Sequence, residues 1–166
     1  MKVLIIFLGL TAFTALAQNC NTDVPNTAPT SRFNVGADGT VTDNLHKLMW
    51  MQCSLGQTWD GSDCVGDADE LTWQQALKTA HGYSFANKTG WRLPNIKELE
   101  TLVERRCERP ALNETVFPSS QSDDYWTSTP VATDPVRAWA IAFFNGSNTA
   151  RTKQAFLFTR LVRNAN

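Results

Sequence analysis

The chain has 166 residues, with 15 Lys and Arg against 16 Asp and Glu and a formal net charge of −1. That length suits one domain with a real core, and a balance so close to neutrality gives no support to nucleic acid as a partner. The charge is unevenly spread: Asp60, Asp63, Asp67, Asp69 and Glu70 fall together without a base, whereas Arg137, Arg151, Lys153, Arg160 and Arg163 follow residue 136 without an acid.

The opening MKVLIIFLGLTAFTALAQN carries one lysine, an apolar run over 3–10 that fades towards Leu16, and the small-residue pattern Ala15-Leu16-Ala17. It predicts a secretory signal peptide over 1–17, cleaved after Ala17, too short and too weakly flanked to span a bilayer. Asn19 ahead of Cys20 speaks against lipid attachment, because lipobox processing needs a small residue there. No later segment is apolar over a membrane-spanning length, so an exported, soluble chain is expected, in the periplasm, on the cell surface or outside the cell. Loss of Lys2 takes the net charge from −1 to −2.

Residues 18–31, QNCNTDVPNTAPTS, have no periodicity and two prolines, and are expected as an extended arm ahead of a single domain over 32–166. Turn signals at Ala37-Asp38-Gly39 and Asp43-Asn44 divide short β-rich runs into a hairpin and a third strand through Leu48 and Trp50. The Gly- and Asp-rich stretch 53–71 is expected as a surface loop. Thr72 with Gln75 three residues on forms a capping box, Trp73, Ala76, Leu77 and Ala80 share a face, and Gly82 stops this first helix. In "GWRLPNIKELETLVERRC" (90–107), Asn95 and Glu98 repeat the capping pattern, Ile96, Leu99, Leu102 and Val103 form an apolar stripe, and Pro110 blocks continuation. After an irregular connector, 125–129 and 138–144 are strand-like, Asn145-Gly146 starts a turn, and 154–163 is expected as a final strand. Strands, two helices, then strands define an α+β domain with both helices packed on a twisted antiparallel sheet.

All four cysteines follow the cleavage site, and an even count in an exported chain points to two disulfides. Of three pairings, Cys53 with Cys64 closes a short loop and leaves Cys20 with Cys107, which ties the arm to the end of the second helix. The loop-entropy model assigns these bridges roughly 3 and 4 to 5 kcal/mol. Zinc is the rival reading, but no C-x-x-C pair is present and the two histidines are not placed to complete a site.

The ordered motifs "DGTVTDNLHKLMWMQCSLGQTWDG", "LTWQQAL", "GWRLPNIKELETLVERRC", "PALNETVFP", "YWTSTP" and "LVR" resemble the domain of unknown function 1566 family, also named for the C-terminal domain of the Legionella collagen-like adhesin, Lcl. The resemblance covers 33–163. It implies a C-type-lectin-like fold, similar also to formylglycine-generating enzymes. Its best-described member is an adhesin that binds sulfated glycosaminoglycans. No Gly-X-Y tract occurs in these residues, so a stalk-supported trimer is not implied and the oligomeric state is left open. The slight acidity of the chain weakens the expectation of a polyanionic ligand.

Within that fold the corner Gly90, Trp91, Arg92, Leu93, Pro94 and Asn95 is expected to be structural, with Trp91 and Leu93 inward and Arg92 against a carboxylate or backbone carbonyls. In a regular final strand Phe156, Phe158, Arg160 and Val162 would share the core face, making Arg160 a paired internal arginine. His46 and His81 have no partner visible in the sequence, and the four thiols are accounted for as disulfides, so catalysis is not expected. No cofactor is expected either; the alternative is calcium on the acidic loop residues Asp60, Asp63, Asp67, Asp69 and Glu70, whose spacing is not that of an EF-hand. Binding is the stronger class. Trp59 and Tyr125, with Asn145, Asn148, Arg151 and Lys153 of "FNGSNTARTK", form the expected contact set for a glycan or, alternatively, a protein partner in a bacterial surface or secretion assembly.

Overall fold

A computed structural model describes residues 18–165; the expected signal peptide lies outside the described residues. The first hairpin forms where the turn signals place it. Strands β2 (Phe33–Val35) and β3 (Thr40–Asp43) are joined through Gly36–Gly39, and β4 (Leu48–Met51) pairs with β3 so that Val41 faces Trp50. With β11 (Val162–Asn164) these strands make a four-stranded antiparallel sheet in the order β11-β4-β3-β2. A separate three-stranded antiparallel sheet, β10-β9-β8, is built from β8 (Asp124–Val131), β9 (Asp134–Ala142) and β10 (Ser147–Thr152). Gly146 turns β9 into β10 at a φ of +77°, and a Cβ there would come within 2.5 Å of Val103 Cγ1, so only glycine fits the turn against the core.

Two ribbons complete the β structure: β1 (Asn19–Cys20) with β7 (Cys107–Glu108), and β5 (Thr58–Trp59) with β6 (Cys64–Val65). Disulfides Cys20–Cys107 and Cys53–Cys64 hold one each, in the pairing expected.

Helix α1 (Trp73–Ala80) has the Thr72/Gln75 capping box and α2 (Ile96–Glu100) the Asn95/Glu98 box. Residues of α2 and β8–β9 meet through Leu99, Tyr125 and Ile141, whereas Ala76 and Ala80 of α1 join Trp126, Ala138 and Ala140. Adjacent β8 residues thus enter different core clusters, so the first half of β8 and the last of β9 are buried on both faces, while the edge strand β10 holds no buried residue. The architecture is α+β, but the helices flank a small sheet and do not share one face of a single large sheet.

Two expected elements are corrected. The second helix ends at Glu100, and its stripe residues Leu102 and Val103 reach the core through i to i−3 turns. The cause is Glu104: its buried carboxylate accepts the N–H groups of Thr27 (3.1 Å) and Ala28 (2.9 Å), which draws the chain out of the helix to receive the N-terminal arm. The expected strand over 154–163 is likewise short. Phe156 is 60 % exposed, while Thr159, Arg160, Leu161 and Val162 are all buried in succession. No alternation survives because this closing segment runs between the two sheets: Leu157 pairs with Leu71, Phe158 with Tyr125, and Val162 with Arg92 and Trp50.

Candidate functional site

The Gly90–Asn95 corner is tied from both sides. Trp91 and Leu93 are buried, and the Trp91 indole N–H donates to Lys88 O at 3.1 Å. Arg92 exchanges two backbone bonds with Val162, both at 2.9 Å, and its guanidinium forks onto Glu98 with both bonds at 2.7 Å. Glu98 also accepts the Asn95 N–H at 2.8 Å, so one carboxylate closes the helix cap and holds the arginine. Burial pushes Glu98 up, but the Arg92 and Asn95 bonds outweigh it and the net shift is downward. The outer side of the corner, with His81 and Ser128, borders an open depression of about 530 Å³.

The residues expected as a contact patch are not gathered into one surface: Asn145 and Arg151 line one groove and Trp59 another, while Tyr125 is buried. Tyr125 is corrected to a core residue: it is fully buried, and its hydroxyl lies 2.7 Å from Ser54 Oγ and accepts the Gln121 N–H at 3.0 Å. Arg151 Nε is bonded to the buried carboxylate of Asp124, which also accepts the Thr149 hydroxyl at 3.2 Å. Lys153 Nζ donates to Pro135 O at 2.7 Å and sits 4.4 Å over the Trp73 ring. Asn145 and Arg151 border one shallow groove of about 380 Å³; the exposed Asn148 and the half-buried Lys153 are not among its lining residues. The cations of this patch are thus engaged by the protein itself. His46, expected without a partner, has Nδ1 at 2.8 Å from the buried Asp43.

Trp59 has a different setting. The β5–β6 ribbon is pinned by its disulfide, and its tip is folded by Asp60, whose Oδ1 accepts the N–H of Ser62 and of Asp63 at 2.8 Å and the Ser62 hydroxyl at 2.9 Å. Those bonds, the Asp63 N–H first, hold the Asp60 carboxyl below the usual carboxylate range. Trp59 donates its indole N–H to Ala37 O at 3.2 Å and lies over Gly39, where a Cβ would come within 2.9 Å of Trp59 and 3.1 Å of Phe85. Gly39, at a φ of +76°, lets both rings close on the turn. Tyr83 and Phe85, from the loop after α1, stand with Trp59 around an open groove of about 540 Å³ that Asp38, Gln57 and Asp60 also border.

The ionisable groups around this groove are predominantly acidic. Asp38 accepts Lys88 Nζ at 2.8 Å and the Thr40 hydroxyl at 2.6 Å, and these bonds, Lys88 first, keep its carboxyl low. Burial, and then the charge of Asp69, raise the Tyr83 phenol. Tyr83, Phe85 and Asp38 escaped the sequence reading; the only local signal was an aromatic pair spaced by one residue just past the glycine that stops α1. The acidic loop does not converge: among the described residues no three of His, Cys, Asp or Glu gather to hold a metal. Nor, among them, is any helix long and apolar enough to cross a membrane.

The fold and this rim define a disulfide-tied α+β domain with an aromatic groove beside a pinned loop. The model of the Lcl C-terminal domain family matches residues 39–163, and the chain belongs to that family. No curated protein matches the chain.

Proposed function

We propose that the chain is an exported, non-catalytic ligand-binding module, glycan-binding or adhesive, on a C-type-lectin-like framework, and that the Trp59 groove is where it binds. The observation that carries this reading is the grouping of Trp59, Tyr83 and Phe85 with Gln57, Asp38 and Asp60 around one open groove. A pyranose ring has an apolar face that stacks on aromatic rings and hydroxyls that bond to carboxylate and amide oxygens, and this groove offers both. Two disulfides fit an oxidising compartment. Family membership supports an adhesin-like extracellular role. No cofactor enters the proposal.

A protein partner is the second reading, favoured by the exposed side chains of Leu45, Val136 and Phe156 at 68 %, 63 % and 60 %. A glycan array separates the two. Binding that is lost in Trp59→Ala and kept in the double variant Arg151→Ala/Lys153→Ala is expected; silence across the array moves the function to a protein partner.

A further inference from the structure

We infer that the Trp59 groove selects saccharides that carry protonated amines and rejects sulfated or carboxylated ones; this rests on the groove being a saccharide site. The charged residues lining it are Asp38 and Asp60, both acids. The nearest base, Lys88, is already spent: its ammonium donates to Asp38 at 2.8 Å and to Ala86 O at 3.1 Å. Asp69 adds negative charge close enough to act on the Tyr83 phenol.

Asp60 is the acceptor left for a ligand. Its three bonds from the ribbon tip all end on Oδ1, and Oδ2 accepts none among the described residues. An ammonium in the groove would bond to that oxygen as a charge-assisted pair and meet the π faces of Trp59, Tyr83 and Phe85, which attract cations. A sulfate or carboxylate would face the unpaired carboxylate of Asp60 beside the Lys88-paired Asp38, with no uncommitted guanidinium or ammonium in the lining. The cations of the Arg151–Lys153 region offer no substitute, since Asp124, Pro135 and Trp73 engage them.

The test is calorimetric titration of the folded, oxidised chain with a glucosamine oligomer, the matching N-acetylglucosamine oligomer and a heparin-derived oligosaccharide. It is run at about pH 5.5, where amines are protonated and carboxylates ionised. The glucosamine oligomer is expected to bind at least about tenfold more tightly than its N-acetylated counterpart, a difference of about 1.4 kcal/mol. Asp60→Asn keeps the Oδ1 acceptor of the turn while removing the charge, and is expected to erase most of that preference at an unchanged melting temperature. Equal or tighter binding of the N-acetylated oligomer, still abolished by Trp59→Ala, overturns the amine selectivity and leaves the saccharide groove standing. Tightest binding of the heparin oligosaccharide overturns it as well. Binding of no oligomer, or binding indifferent to Trp59→Ala, overturns both the selectivity and the groove.

Discussion

Arg160 is the most deeply placed cation among the described residues, with no exposed surface at all. Its two terminal nitrogens are bonded to neutral oxygens: Nη1 donates to the carbonyls of Met51 (3.0 Å) and Gln52, and Nη2 to the hydroxyls of Ser120 (2.7 Å) and Ser54 (3.4 Å), while the buried Nε has no hydrogen-bond partner among the described residues. The guanidinium lies 4.9 Å from the Phe117 ring centroid, and no carboxylate pairs with it among the described residues. Burial lowers its pKa, yet a guanidinium stays charged inside proteins, so the fold keeps a buried cation solvated by its own backbone. Arg160→Met would leave two buried carbonyls without donors and is expected to cost about 3–5 kcal/mol, read as a lowered urea midpoint. Arg160→Lys should recover little, because an ammonium cannot span the planar fork; a wild-type midpoint in either variant would remove the role. Alternation in the sequence suggests that Arg160 points inward, but it cannot supply the partners. These lie 106 to 109 residues away for Ser54, Gln52 and Met51. Tyr125 misleads for the same reason, since the Ser54 hydroxyl that buries its polar end is 71 residues distant.

At the level of elements, what was legible is what is local. Both capping boxes involve residues three apart, and both form. The end of α2 was illegible because Glu104 is drawn away by Thr27 and Ala28, 77 and 76 residues earlier. The same distinction separates the two disulfides. Cys53–Cys64 spans 11 residues and Cys20–Cys107 spans 87, so loop-closure entropy assigns them about 2.8 and about 4.6 kcal/mol. Their functional weights should run the other way, because the short bridge holds the ribbon that carries Trp59 and Asp60 whereas the long one fastens the arm. Cys53→Ser/Cys64→Ser is expected to lose the smaller part of stability and most saccharide affinity. Cys20→Ser/Cys107→Ser should lose more stability and keep the affinity of the molecules that remain folded. Thermal melts paired with titration of the same oligomers check both halves, and loss of affinity in parallel with stability in both variants would detach the ribbon from the site.

Across the whole molecule, cohesion depends on the segment that follows residue 156. It bonds in turn to Leu71 before α1, to β8 through Trp126 N–H (3.0 Å), to the loop after β4 through Leu55 N–H (2.9 Å), to Met51 N–H (3.1 Å), and to Arg92 at the corner. No other described stretch pairs with both major sheets and with the corner, and the family match runs to residue 163, so it takes in nearly all of this closure. Opening either sheet therefore requires breaking bonds to the segment that also holds the other, which makes the two one cooperative unit. Native-state hydrogen exchange tests this. The amides of Met51, Leu55, Trp126 and Val162 are expected to exchange with a common free energy and a common denaturant slope equal to those of global unfolding. Amides of the β5–β6 ribbon tip, such as Ser62 and Asp63, are expected to exchange through local opening at lower free energy, as a binding rim on a rigid frame should. If Trp126 and Met51 exchanged with separate slopes, the sheets would be independent units, and the closing segment would be a tether with no part in folding them together.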